Sequence, residues 1–559
     1  MTALLAVPLM GAAVPAPVAR FAWFDYRGED PVDRAMKAGA NDYRNPILQG
    51  FYPDPAILRV GQDYYLVNST FTYFPGLPVF HSRDLVNWTQ IGNAIDRPGQ
   101  VDFKNIGLSA GIYAPDLSYR AGTFYLAGTC VACGGNFVMT AKTPAGPWSD
   151  PRWNSIDGID PSIFFDTDGS AWILNNGPPE GKSLYSGHRA IWIQRIDTTT
   201  LKPFGERTVI VNGGVHLADK PIWIEGPHLF RKDGWYYLIA AEGGTAENHS
   251  EVVFRSKTVT GPYEPGPANP ILTQRTLDPA RPFPITSTGH AAFVTTPKGD
   301  WWSVFLGTRP YKGDFYNTGR ETFMLPVRWR DGWPEVTAPG ATIPYVHARP
   351  ALPRGKTAPV PNSGAFHVRD DFAGARLAPY WVQIRATDTG WRRLSGGALA
   401  IDARPVAIGG AGQSAFLGRR VQHGWATAET SVDFVPRREG DRAGIAVVQD
   451  TAYFYALTLA RTGAGTVIAL EKRSSPKDPV DGVTVASAPY VGTAVRLRIV
   501  LRGDVCDFLY AGADGGWQVL AKDQDATILS TRTAGGFIGA MVGPFARAGE
   551  QGSNASPGR

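Results

Sequence analysis

The 559-residue sequence predicts an all-β protein, a five-bladed β-propeller followed by a β-sandwich. Three observations predict it. A short pattern recurs five times in the first 310 residues: a strand opening with Asp, Glu or His beside Pro or Gly, a turn, and an aromatic-rich strand. Its markers, Asp54, Asp116, Asp160, Glu225 and His290, are spaced by 62, 44, 65 and 65 residues, the length of a four-stranded blade with its loops. The 64 Gly, 45 Pro, 16 Trp, 21 Tyr and 27 Phe suit many short strands joined by tight turns, and long amphipathic helices are hard to find.

In chain order, residues 4–16 are an apolar run ending in small residues. It is too short to span a bilayer but suits a signal-peptide core, so 1–16 is expected to be a signal and the protein exported, to the periplasm or beyond the cell. No Lys or Arg precedes the run, and if it is not a signal the protein stays in the cytoplasm. Residues 17–44 form a lead-in of mixed charge, and the propeller is expected over 45–333. Its five units read Asp54-Pro55-Ala56-Ile57 before Asp63-Tyr64-Tyr65-Leu66, Pro115-Asp116-Leu117-Ser118 before Thr123-Phe124-Tyr125-Leu126, Asp160-Pro161-Ser162-Ile163 before Ser170-Ala171-Trp172-Ile173, Glu225-Gly226-Pro227-His228 before Trp235-Tyr236-Tyr237-Leu238, and Gly289-His290-Ala291-Ala292 before Asp300-Trp301-Trp302-Ser303. Prolines at 334, 339, 344, 350, 353, 359 and 361 block helix and central strand alike, making 334–365 a stiff, extended linker. From 366 to 548 alternating strands with Gly and Asp turns follow, as in Trp425-Ala426-Thr427-Ala428-Glu429-Thr430-Ser431-Val432, the cadence of a β-sandwich. The Gly/Ser-rich end, 549–559, reads as a disordered tail.

The formal charge is +5 and the isoelectric point ≈ 8.9. Lys and Arg are scattered with no basic run interleaved with aromatics, which argues against a nucleic-acid partner, and no other segment resembles a membrane span. Three cysteines do not make a disulfide framework at this length. Cys130 and Cys133 are expected to pair within a loop, Cys506 to be buried, and no second Cys or His pair stands at zinc-ligand spacing.

In a propeller, the innermost strand of each blade runs along the central channel, so equivalent positions in the repeat converge on one pocket. Any single Asp-Pro reads first as turn chemistry. Taken together, Asp54, Asp160 and Glu225 place three carboxyl groups at equivalent points in three blades, and charges are rarely brought to a protein's centre without a partner or a purpose. Cleavage of a glycosidic bond needs two such groups, one protonated to supply the leaving oxygen and one ionised to activate water or attack carbon. A third carboxylate near the acid raises its pKa by like-charge repulsion. Phe71, Phe74 and Tyr113 suit the C–H face of a sugar.

The runs Gly50-Phe51-Tyr52-Pro53-Asp54-Pro55, Ser69-Thr70-Phe71 with Phe74-Pro75-Gly76, Ser82-Arg83-Asp84-Leu85-Val86-Asn87-Trp88, Gly111-Ile112-Tyr113-Ala114-Pro115-Asp116, Asp160-Pro161-Ser162, Glu225-Gly226-Pro227 and Gly319-Arg320-Glu321-Thr322 occur in this order. Over about residues 45–545 the chain thereby resembles family 43 of the glycoside hydrolases, in its branch of β-xylosidases and α-L-arabinofuranosidases with a C-terminal concanavalin-like sandwich. The resemblance implies Asp54 as general base, Glu225 as general acid and Asp160 as the group that orients and tunes the acid. It implies inversion at the anomeric carbon, with base and acid roughly 6.5–9.5 Å apart. It also implies Arg320 on substrate hydroxyls near the base, His290 beside Asp160 at the pocket floor, and Phe71, Tyr113 and Thr245 around the sugar. Position 113 departs from the branch, where Trp is common, so pentose preference stays open.

Read from the residues alone, Arg320 serves equally as an ion-pair partner of a blade carboxylate, His290 as a neutral, hydrogen-bonded core residue, and Asp116 as structural. The expected activity is removal of terminal pentose from hemicellulose-derived xylo- or arabino-oligosaccharides, xylose first and arabinofuranose second. A retaining hydrolase of the invertase kind is disfavoured, because Ile159 precedes Asp160 and Gly226 follows Glu225. A non-catalytic sugar-binding propeller is disfavoured because all three carboxylates are present. No cofactor is required by this chemistry and no metal ligand set is assigned; the sequence does not indicate a structural Ca2+, though one is compatible with it. The oligomeric state is left open.

Overall fold

The structure, a computed structural model, describes residues 16–385, 388–512 and 515–549. Apart from Ala16 and Gly549, the expected signal segment 1–16 and tail 549–559 lie outside the described residues. Five antiparallel sheets form the propeller, each built from consecutive strands except the first, which skips Tyr73–Phe74. Their first strands are Ala56–Val60, Asp116–Arg120, Ile159–Phe165, Glu225–Lys232 and Thr286–Thr295. Each of these first strands lies against that of the next sheet, and the fifth returns to the first, so they are the inner strands around the channel. The aromatic-rich second strands, such as Asp63–Val67 and Trp235–Glu242, pair directly outside them. Alternate residues of the second and third strands fill the cores between neighbouring blades: Leu126 and Met139 are fully buried against Val67 and Val79, and Phe254 and Leu238 against Leu174 and Ile193.

The ring closes without a shared strand. The segment entering the first blade bonds instead to strand Glu321–Arg330 of the fifth. The Asn45 side chain donates to Met324 O at 2.9 Å and accepts from Met324 N at 2.9 Å, while the Ile47 N–H reaches Thr322 O at 2.8 Å. Thr322 then donates its hydroxyl to Tyr52 O at 2.6 Å, tying the seam to the residues just before Asp54.

Two eight-stranded sheets form the sandwich. Sequence alone assigns residues 17–44 no partner; in the structure Val18–Gly28 is an interior strand of the first sheet. It runs antiparallel to Trp425–Asp433 on one side and to Leu399–Asp402 and Phe366–Asp370 on the other. Its alternating burial explains this, because Phe21, Phe24 and Tyr26 face a core with Trp381, Leu399, Val432 and Leu457. The second sheet ends in Tyr73–Phe74, a two-residue strand from the first blade that pairs with Val382–Ile384. The part of the chain before residue 75 thus lends a strand to each sheet of the sandwich, and an apolar cluster of Phe51, Phe71 and Tyr73 with Phe416, Phe454 and Phe545 is continuous across the seam.

Charge reinforces the seam. Arg309, from the fifth blade, binds Glu321 at 2.6 and 2.9 Å and Asp30 at 2.6 Å, and donates to Gln422 O of the sandwich at 3.2 Å. The Pro-rich segment is pinned along the propeller: Arg349 and the Gly355 N–H both reach Asp84 Oδ2, at 2.6 and 2.8 Å, and Asn362 donates to Trp88 O at 2.7 Å.

Candidate active site

The inner strands do not begin as regular strands. Asp54, Asp160, Gly226 and His290 all lie in the left-handed region, with φ of 50, 55, 57 and 55°. The pairing register slips beside three of them, between Ile159 and Ser162, Glu225 and His228, and Gly289 and Ala292. Such bulges turn a side chain out of the pleat, here toward the channel, and strain kept in three blades at one level is typical of a site. Gly226 has a further reason to be glycine: a Cβ there would stand 2.7 Å from the His290 ring. Asp116, by contrast, opens a regular strand and ties blades together, accepting from Ile163 N at 2.9 Å and facing His228 at 3.4 Å. It is structural.

The result is a cavity of ≈ 680 Å³ lined by Asp54, Asp160, Glu225, His290 and Arg320, with Phe71, Tyr113 and Thr245. The eight residues that the resemblance assigns to the site therefore meet in one place, whereas Phe74, read from sequence as a further face for a sugar, is buried in an apolar core beside Val67 and Val79 and does not line the cavity. Asp54 Oδ1 accepts from Arg320 Nη1 at 3.0 Å and Oδ2 from the Ser69 hydroxyl at 2.6 Å. Burial alone would raise the pKa of Asp54, but Arg320, His290 and the Ser69 bond more than offset it and hold the carboxyl below its usual range. Glu225 is pushed the other way, to about 8, by burial first and the Asp160 charge second. No described residue donates a hydrogen bond to its carboxyl. Asp160 Oδ2 stands 3.5 Å from His290 Nε2 and accepts from the Gly226 N–H at 3.3 Å. Burial disfavours a charged His290, yet its contact with Asp160 and the carboxylates around it raise its pKa to about 9. Arg320 pairs with a blade carboxylate, as one reading of it expects, and it also lines the cavity.

One wall of the cavity is aromatic and is built by both parts of the chain. Phe71, stacked on Phe51 at 5.7 Å, meets Tyr113 edge-on at 5.2 Å. Phe537, from a loop of the sandwich, stacks on Phe71 at 6.1 Å, meets Tyr113 at 5.6 Å, and lies under the Arg320 guanidinium at 5.5 Å. The Phe537 N–H donates to Ser109 Oγ at 3.0 Å, and a Cβ on Gly536 would come within 2.3 Å of that oxygen, so the loop approaches the propeller only because it carries glycine there. At the mouth, Val131 is held between Cys130 and Cys133, which form a disulfide, and its N–H bonds to Gly111 O at 3.0 Å beside Tyr113.

Sequence reasoning missed Phe537, Ser69, Arg189 and Trp223. Nothing local marks Phe537, because its role depends on docking two parts of the chain. Trp223 carried a signal, an aromatic two positions before Glu225. Among the described residues, no group of three or more His, Cys, Asp or Glu is arranged to hold a metal ion.

The family model "Glycosyl hydrolases family 43" matches residues 43–334, and "Beta xylosidase C-terminal Concanavalin A-like domain" matches residues 369–556. A protein of Butyrivibrio fibrisolvens named xylosidase/arabinosidase is 36% identical over 513 residues, covering 90% of this chain and 95% of its own. A non-reducing end alpha-L-arabinofuranosidase of Bacteroides ovatus is 36% identical over 522 residues, covering 92% and 93%. Among solved structures, a "GH43_12" protein from a capybara gut metagenome superposes with a TM-score of 0.87 at 40% identity, covering 96% of this chain and 100% of that one.

Proposed function

The chain belongs to glycosyl hydrolase family 43 and is a glycoside hydrolase; from that premise we propose that it cuts terminal pentose from hemicellulose-derived oligosaccharides by a single, inverting displacement. The observation that carries this reading is the opposed protonation of two buried carboxyls in one cavity, Asp54 held below its usual range and Glu225 raised to about 8. At neutral pH the first is ionised and the second protonated. Glu225 donates its proton to the leaving oxygen as that bond breaks. Asp54 takes a proton from water as the water oxygen attacks the anomeric carbon. Arg320 and Ser69 orient Asp54 and keep it ionised; Asp160, held by His290, places negative charge near Glu225 that the imidazole partly offsets, and fixes the turn at Gly226. The scheme uses side chains and water and calls on no cofactor.

Exo action is supported by the aromatic wall of Phe71, Tyr113 and Phe537, which offers one sugar ring an apolar face and closes the cavity on that side. Xylose is the first reading. Arabinofuranose is the second, favoured by the name of the Bacteroides relative and by Tyr113, whose hydroxyl adds a polar group to the wall. Export is also proposed, supported by the apolar run at 4–16 and by the Cys130–Cys133 disulfide, which persists in oxidising compartments. Mass spectrometry of the N-terminus of protein recovered from cells tests this, and an uncleaved residue 1 on mature protein would refute it.

The test of the activity compares nitrophenyl β-xyloside with nitrophenyl α-arabinofuranoside, then follows fresh hydrolysis by proton NMR. α-Xylose appearing before mutarotation supports inversion. Early β-xylose, or transfer to added methanol with retention, would mean that a nucleophile acts in place of water.

A further inference from the structure

We propose that Trp223 and Arg189 form the subsite for the leaving sugar, the second ring of the oligosaccharide; this rests on the reading of Glu225 as the acid. Both residues line the same cavity as the three carboxyls. Trp223 stands two positions before Glu225, the group that protonates the leaving oxygen, and lines the cavity with it. The Arg189 guanidinium carbon lies 4.1 Å from the centre of the Trp223 ring. Among the described residues nothing pairs with that guanidinium by ion pair or hydrogen bond, and its buried Nε has no partner.

An arginine left with its donors free beside a sugar cavity suits hydroxyl recognition, and the indole beside it suits the C–H face of a ring. The pair is held in place before substrate arrives. Trp223 lies at φ 52°, unusual for a bulky residue, and its N–H donates to Gly187 O at 3.0 Å. The loop that carries Gly187 is fixed by His188, whose Nε2 meets Asn212 Oδ1 at 2.9 Å and whose ring stacks on Tyr185 at 4.7 Å. On the other side of Trp223, Asn176 donates to Ile224 O at 2.6 Å. Among the described residues, no ring of the Phe71, Tyr113 and Phe537 wall stacks on Trp223, so the cavity offers two separate apolar platforms, one for each ring across the cleaved bond.

The experiment uses the full chain, with xylobiose as a substrate that fills both subsites and methyl β-xyloside as one that lacks the second ring; if arabinofuranosides are preferred, the matching arabinobiose and methyl arabinofuranoside are used. Trp223→Ala and Arg189→Ala are expected to lower kcat/KM on the disaccharide about tenfold or more, chiefly through KM, and to lower it on the methyl glycoside by less than about threefold. Inhibition by free xylose, which binds the terminal-sugar subsite, should change as little. Trp223→Phe, which keeps a ring at that position, should recover most of the disaccharide activity and guards against a folding defect in Trp223→Ala. Equal losses on both substrates, or weakened xylose inhibition in parallel, would overturn the subsite alone. Wild-type protein inactive on every pentoside would overturn the functional reading, and this subsite with it.

Discussion

Replacing Asp160 with Asn removes a charge while keeping the shape of the side chain and an acceptor for the Gly226 N–H. Glu225 stands at about 8 because of burial first and Asp160 second. A neighbouring charge within ~4–6 Å moves a carboxyl pKa by about 1–3 when opposite in sign, and a like charge acts in the reverse direction, each pKa unit being about 1.36 kcal/mol. His290 works against the full effect: its own pKa of about 9 depends in part on Asp160, and a less protonated imidazole would withdraw positive charge from Glu225. Asp54 still faces His290 after the substitution, so the imidazole retains one carboxylate partner, and the net fall expected for Glu225 is about one unit. The sign is unambiguous for activity. The acid must be protonated, so the alkaline limb of kcat/KM, near pH 8 in the wild type, moves down by about one unit in Asp160→Asn. The acidic limb reports Asp54, already below its usual range, and stays low. The assay is kcat/KM against pH on an unactivated disaccharide, where proton donation matters most. An alkaline limb that stays put or moves upward would refute the electrostatic role of Asp160 and leave it as a purely orienting group.

Glu225→Ala should cost about 10²–10⁴-fold on unactivated disaccharides and far less on nitrophenyl glycosides, whereas Asp54→Ala should damage both alike, as kinetics on the two substrates will read. Phe537→Ala should raise KM for terminal pentose and weaken inhibition by free pentose, each by about tenfold, because it removes one of three rings from the wall; unchanged inhibition would detach the sandwich from the site. Arg309→Met leaves Glu321 buried and Asp30 nearly so without their cation, which should destabilise the protein by about 3–5 kcal/mol and lower its thermal midpoint in calorimetry. A midpoint unmoved by that change would mean that the apolar cluster alone holds the seam.

The propeller and its site were legible because the fold repeats. One motif in five copies gives the blade count, and channel geometry brings Asp54, Asp160 and Glu225 together without knowledge of any loop. The strain was not legible: left-handed Asp160 and His290 sit at bulges that tertiary packing imposes, and left-handed Asp54 lies just before a strand of regular register. Nor was Val18–Gly28 as a sandwich strand, since its partners at 366–370, 399–402 and 425–433 lie far along the chain and pairing over such distances leaves no local pattern. Phe537 failed for the same reason. Its contact with Ser109 spans 428 positions and exists only once the two parts have docked.

Val18–Gly28 is synthesised before the propeller, yet its neighbours in the sheet are made only after the whole propeller has been synthesised. During translation this strand must wait with both edges unpaired while some three hundred residues fold beside it, a period in which an exposed apolar strand is open to aggregation or to capture by a chaperone. The same threading limits how the gene can be cut. A fragment beginning after the Pro-rich segment would lack an interior strand of its first sheet, and a propeller fragment would carry that strand with no sheet to enter. Recombination that exchanges the C-terminal half alone would therefore set a foreign strand into the middle of a sheet, so the two halves of this chain are best inherited and engineered as one piece.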